Sequence, residues 1–146
     1  MNSLNNEILT FIKKASKRIK ANFIINLSIV GLKYLLCLIL SLLLISLFIT
    51  IPYIEEISLI ILLIGLASIV ILGFIKGPDN KKVALIVDSK GLKERVTTSL
   101  EFINDEDSIS IAQKNDTLKF IRSFNIKENL KISIDRKQIL LVIALI

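Results

Sequence analysis

Two stretches without a single charged side chain constrain this chain more than any other feature. They are YLLCLILSLLLISLFITI, Tyr34 to Ile51, and ISLIILLIGLASIVILGFI, Ile57 to Ile75. As helices they rise about 27 and 28 Å, close to the roughly 30 Å of a bilayer's hydrocarbon core. The sequence therefore predicts two membrane spans, at 34–51 and 57–75. PYIEE between them reads as a turn: Pro52 ends the first helix, and Glu55 and Glu56 stand near the start of the second. So short a link forces an antiparallel helical hairpin. Gly65, Ala67 and Ser68 suit either close helix packing or contact with lipid. The first run is too long for the core of a cleaved signal peptide, and no small-residue cleavage pattern follows it.

Lys33 marks the expected inner boundary. A lysine at mid-bilayer costs about 2.5–3.5 kcal/mol, whereas one at the edge reaches the headgroups. Lys33, its neighbour Tyr34 and Lys76 are therefore expected at the membrane interface. Lys13, Lys14, Lys17, Arg18, Lys20 and Lys33 precede the first span, Lys76, Lys81 and Lys82 follow the second, and the turn has no cation. The positive-inside rule then predicts an inner-membrane, multi-pass protein with its N-terminus in the cytoplasm and the PYIEE turn outside.

Residues 1–33 form the lead-in. Leu4, Ile8, Phe11, Ala15 and Ile19 recur at helical spacing, with the cations on the other side, Ser3 as a possible cap and Glu7 near the start. Two readings fit this amphipathic helix: it lies on the inner leaflet with its apolar face down, or it is a cytosolic lead-in that sets orientation.

Residues 76–137 read as a cytoplasmic helical segment. Gly77-Pro78 breaks the second span's helix, and Asp79 or Asn80 caps a short helix with Val83, Ile86 and Val87 on one face. After Gly91 a second short helix carries the stripe Leu92, Val96, Leu100 and Ile103, a candidate surface for docking a partner. NDEDS, Asn104 to Ser108, lacks the spacing of a calcium loop and reads as a solvated loop capping the next helix, which has Ile111, Leu118 and Ile121 on one side. NLKISID alternates and reads as extended. Asp135, Arg136 and Lys137 then lead into an apolar run, 138–146, expected to be the start of a truncated third span.

Chemistry is sparse. The chain has no histidine and one cysteine, Cys37, inside an apolar run, so neither a Ser-His triad nor a Cys/His metal site can be built. GFIKGPDNKK lacks the order of a phosphate loop. Asp88, Glu94 and Glu101 are the carboxylates to consider for catalysis or a cation. Helix-surface charge explains them better, with Asp88 within reach of Arg95. No catalytic residue, cofactor or metal is expected. The net charge of +6 flanks apolar runs and does not interleave with aromatics, which argues for topology and anionic lipid over nucleic acid.

The segment VALIVDSKGLKERVTTSLEF, following two spans and a GP break, resembles an uncharacterised family of bacterial membrane proteins with the pattern A-x-x-x-D-x-x-G-L-[KD]-[DE]-R-[LV]-x-T-[AS]-[LV]-E-[FL]. The matching residues are Ala84, Asp88, Gly91, Leu92, Lys93, Glu94, Arg95, Val96, Thr98, Ser99, Leu100, Glu101 and Phe102. AQKNDTLKFI resembles that family's glutamine-containing helix. The resemblance implies a membrane-anchored protein of an envelope-associated assembly, with partners among AAA+ ATPases and von Willebrand A-type proteins, and no established activity.

The expectation is thus an all-α membrane protein: amphipathic lead-in, two-helix transmembrane hairpin, short cytoplasmic helices and the start of a third transmembrane helix. The leading function is a non-catalytic anchor or scaffold subunit. The alternative is a small holin-like or transport-accessory hairpin, for which Ser41, Ser46 and Thr50 are the polar residues of the first span.

Overall fold

The structure, a computed structural model, describes residues 2–145. These residues are helical, with no strand among them. The helices are α1 (Asn2–Ser46), α2 (Ile54–Ile75), α3 (Asn80–Val87), α4 (Arg95–Glu101), α5 (Ser108–Ser123), α6 (Ile126–Asn129) and α7 (Arg136–Ala144), with a wide turn at Asp88–Leu92. The chain divides into two compact units. One comprises residues 1–21 and 78–132, the other 22–77 and 133–146. Helix α1 contributes its first part to one unit and the remainder to the other.

The first unit is a small helical cluster built around the N-terminal part of α1. Ile8, Phe11, Ile12 and Ala15 are buried against Val83, Ala84 and Val87 of α3, Leu92, Val96 of α4, Leu118 and Ile121 of α5, and Leu130. Phe11 meets Phe124 edge-on at 5.8 Å between ring centroids. The apolar face that one of the two readings laid on a leaflet is therefore covered by the chain itself. Short helices such as α3 and α4 are unstable alone, and α1 offers the surface that stabilises them. Ser3 lies inside α1 and does not cap it.

Two other faces differ from expectation. On α3 the inward residues are Val83, Ala84 and Val87, while Ile86 is partly exposed. Ala84 allows the close approach that a larger side chain prevents. On α5 the inward positions Ser110, Lys114, Thr117, Leu118 and Ile121 are mostly polar. NLKISID forms no strand: Ile126–Asn129 is one helical turn, and residues 131–135 have no regular structure.

The second unit pairs the apolar part of α1 with α2, and α7 belongs to it too. Small residues set the approach. A Cβ added at Gly31 would stand 2.6 Å from Ile69 Cδ1, one at Gly65 2.6 Å from Leu35 Cδ1, and one at Gly73 3.1 Å from Ile24 Cγ1. Numbers fall along one helix as they rise along the other, so the two run antiparallel. Helix α1 ends at Ser46, short of the expected Ile51, and Leu47–Ile51 form the turn. Pro52 disfavours helical geometry at Ile51, and Tyr53 takes a left-handed conformation, φ 57°, just before α2.

Candidate functional site

The segment that carries the family-like pattern is a corner built around Asp88. Gly91 has φ 120°, Lys93 φ 50° and Glu94 φ 61°. The Lys93 N–H reaches back to the Asp88 carbonyl at 3.2 Å, closing the wide turn. The Asp88 side chain, 6% exposed, turns toward the start of α4. Its Oδ1 accepts the Val96 N–H at 3.0 Å; its Oδ2 accepts the Thr97 N–H at 2.8 Å and the Thr97 hydroxyl at 2.6 Å. Glu94, the residue before α4, makes no capping bond. Asp88 thus replaces a local cap, from eight residues away, and satisfies donors that the first helical turn leaves unpaired.

Asp88 does not reach Arg95, the pairing the sequence suggested. Arg95 Nε donates to Asp116 Oδ2 at 2.9 Å, and its guanidinium lies 3.8 Å from the Phe120 ring centroid. The other two carboxylates considered for catalysis are exposed. Glu101 faces Lys81 at 3.6 Å, and Glu94 is exposed. Among the described residues no group of His, Cys, Asp and Glu could hold a metal ion.

The stripe considered for docking is placed in the core. Leu92 and Val96 are buried, and Leu100 and Ile103 are partly buried against the same cluster. It fixes α4 to α1, α3 and α5 and leaves no free apolar face there.

Polar contacts that periodicity missed complete the unit. Lys114, 2% exposed, donates through Nζ to the carbonyls of Ile103 at 2.9 Å and Asp105 at 2.8 Å. Asn5 Nδ2 reaches the same Ile103 carbonyl at 2.8 Å. One turn after α4 is thereby held by α1 and α5. Ser99 and Thr117 share a buried hydrogen bond of 2.6 Å between α4 and α5. The signal was the 3.6-residue recurrence of Ser110, Lys114, Thr117 and Ile121, invisible to a count of apolar residues alone. The acidic loop behaves as expected: Asp107 Oδ2 caps α5 by accepting the N–H groups of Ile109 and Ser110, both at 3.1 Å. Hydrogen bonding from Ser110 lowers the Asp107 carboxyl below its ordinary value of 3.8.

On the outer side of α1, Arg122 grips Glu7 through two bonds of 2.8 and 2.9 Å. The Arg122 hydrogen bond lowers the Glu7 carboxyl below its ordinary 4.5, and Glu7 raises Arg122 in return. Arg18 donates to the Leu130 carbonyl at 2.6 Å and closes the C-terminal end of α6. Lys13, Lys14, Lys17 and Lys20 remain exposed.

In the second unit, Lys33 Nζ donates to Gln138 Oε1 at 3.1 Å and lies 4.6 Å from the Tyr34 ring centroid. Tyr34 is 65% exposed. Gly31 opposite Ile69 and Leu35 opposite Gly65 set Lys33 level with Ala67. Lys33 thus stands level with a position eight residues before the end of α2. Lys76 is exposed at that end, its N–H closing α2 on the Leu72 carbonyl at 2.9 Å. The hydroxyls of Ser41, Ser46 and Ser68 donate to Leu38, Leu43 and Ile64 carbonyls of their own helices. Cys37 is a free, exposed thiol.

Family models, curated proteins and solved structures give no match to the chain.

Proposed function

We propose that this chain is a non-catalytic membrane anchor: α1 beyond residue 24 and α2 cross the bilayer as a hairpin, and the helical cluster of residues 1–21 and 78–132 is the scaffold module it tethers. The observation that carries this reading is where the apolar side chains point. The most apolar stretches of α1 and α2 have mean hydropathies of 2.4 and 2.9, yet only 0% and 6% of their residues are buried. A core helix of a water-soluble protein hides such side chains. Leu44, Leu63, Ile64 and Phe74 are all more than half exposed. Soluble proteins rarely leave apolar patches larger than a few hundred Å² in water, whereas lipid solvates them. The 22 residues of α2 rise about 33 Å, which matches the hydrocarbon core.

The lysine distribution supports a cytoplasmic placement of both outer flanks, with Glu55 and Glu56 outside. The serines support an anchor over a pore. The hydroxyls of Ser41, Ser46 and Ser68 bond their own backbone, as membrane helices commonly permit. The scaffold role accords with a cluster whose carboxylates cap helices and form ion pairs. Its partners, in this reading, are the AAA+ ATPases and von Willebrand A-type proteins that the resemblance at residues 84–102 implies.

The test uses Glu56→Cys in a Cys37→Ser background. A membrane-impermeant maleimide should label the bend in intact spheroplasts, and the protein should stay with the membrane through alkaline carbonate. Labelling only after permeabilisation refutes the orientation. Release into the soluble fraction refutes the anchor itself.

A further inference from the structure

We propose that a cationic groove of the helical cluster, between α1 and α6, binds the headgroup phosphate of an anionic phospholipid. This rests on the membrane reading above. The groove has a volume of about 440 Å³. Lys14, Lys17 and Arg18 of α1 and Lys127 of α6 line it, and Ala21, Ile126 and Ile132 supply the apolar part of its wall. No carboxylate lines it.

Arg18 shapes the groove. Its Nε donates to the Leu130 carbonyl at 2.6 Å and its Nη2 to the Lys127 carbonyl at 3.3 Å, which ties α6 beside α1. A guanidinium carries five N–H donors, so the Nη1 pair is left for an anion. The ion pairs among the described residues lie elsewhere: Lys81 with Glu101, Arg95 with Asp116 and Arg122 with Glu7. Lys14, Lys17 and Lys127 therefore have no carboxylate partner there. Glu128 follows Lys127 in sequence but does not line the groove. Like charges gathered at one groove repel one another, and a bound anion relieves that repulsion.

The groove's place along α1 selects a lipid as that anion. Gly73 meets Ile24 two residues before α2 ends at Ile75, so the inner end of the hairpin falls near Asn22. Helix α1 runs unbroken from Asn2 to Ser46. At about 1.5 Å per residue, Arg18 and Lys17 stand about 6 and 8 Å outside that level, and Lys14 about 12 Å outside it. Headgroups occupy about 5–8 Å on each side of the hydrocarbon core. These α1 cations therefore stand among the headgroups and at their outer edge, outside the hydrocarbon. Ala21 stands nearest the core, and Ile132 is 42% exposed. Together they offer an apolar wall to a lipid's glycerol and first acyl carbons, which a free phosphate would leave in water. Clusters of about four to eight cations just cytoplasmic of a span hold anionic lipid by the same chemistry.

The full-length chain in a nonionic detergent is offered equal amounts of phosphatidylglycerol and phosphatidylcholine, and native mass spectrometry counts the lipid retained. Wild type should retain phosphatidylglycerol in preference. Lys14→Gln with Lys127→Gln should lower that preference about 25-fold, each cation near a lipid surface being worth about fivefold. Lys13→Gln with Lys20→Gln removes the same charge from residues outside the groove and should leave the preference nearly unchanged. All four lysines are exposed, so the fold does not depend on them. An equal fall in both pairs assigns the preference to net charge and overturns the groove. Flotation with phosphatidylcholine vesicles separates the remaining failures. Equal retention of the two lipids by a chain that floats overturns the groove alone; failure to float overturns the membrane reading. Displacement of the lipid by an equal concentration of inorganic phosphate, or of a polyglutamate peptide, overturns the lipid as the groove's occupant.

Discussion

Replacing Asp88 by Ala should loosen α4 more than any other single change at the corner. The carboxylate accepts three donors: the Val96 and Thr97 N–H groups and the Thr97 hydroxyl. Losing an N-terminal cap costs about 1 kcal/mol. The Val96 site is 0% exposed, so its N–H cannot turn to water, and a buried unpaired donor adds about 1–3 kcal/mol. Thr97 is only half-buried and rehydrates. The total is about 3 kcal/mol, or a factor of roughly 150 in an opening equilibrium. Asp88→Asn keeps one acceptor oxygen in the same shape and should cost about 1–2 kcal/mol. Amide hydrogen exchange, read by mass spectrometry on the full-length chain in detergent, measures this locally. The amides of Val96 to Leu100 should lose about a hundredfold protection in Asp88→Ala and distinctly less in Asp88→Asn. A change below about threefold, under 1 kcal/mol, refutes the capping role. Equal loss in both variants would assign the effect to charge and refute the acceptor count.

Lys93 and Glu94 hold left-handed backbone without being glycine, at a cost of about 1–2 kcal/mol each. Lys93→Gly should therefore raise stability by about 0.5–1 kcal/mol after the entropy of the added glycine is deducted, seen as a higher melting temperature. Arg95→Ala removes the Asp116 pair and the Phe120 stacking from a partly exposed site and should cost about 1–2 kcal/mol. Arg95→Lys should recover less than half, because an ammonium has no planar face to lay on the ring. Acid should weaken the helical cluster. Glu7 and Asp107 have folded values below their ordinary 4.5 and 3.8, so their contribution is complete above those values and is lost as pH falls through the lower folded ones. Melting temperatures measured from pH 6 downward should fall at the acid end, and Glu7→Gln with Asp107→Asn should flatten that slope. Raised Arg122 has the opposite sign, but its loss lies at far alkaline pH.

Much of the fold was legible because membrane-like helices announce themselves by length and lack of charge, which are local properties. The existence of α2, the breaks at Gly77-Pro78 and Gly91, and the capping of α5 by Asp107 all follow from residues close in sequence. The lead-in was harder. Its period showed an apolar face at Ile8, Phe11 and Ala15, but a period does not say whether lipid or protein covers that face. Only the return of residues 78–132 to pack on it decided that, and the same packing enclosed Val96 and Leu100, which had read as a surface. Lys33 shows the limit most plainly. Its neighbours Tyr34 and the uncharged run fix its place along one helix only. Its level against Ala67 depends on how two helices slide past each other, which Gly31 and Gly65 fix through the side chains of Ile69 and Leu35. Hydrophobic pattern and local capping are written in the chain one turn at a time. Register between helices, and the partner of each buried polar group, arise from contacts between residues far apart in sequence, and tertiary structure alone decides them.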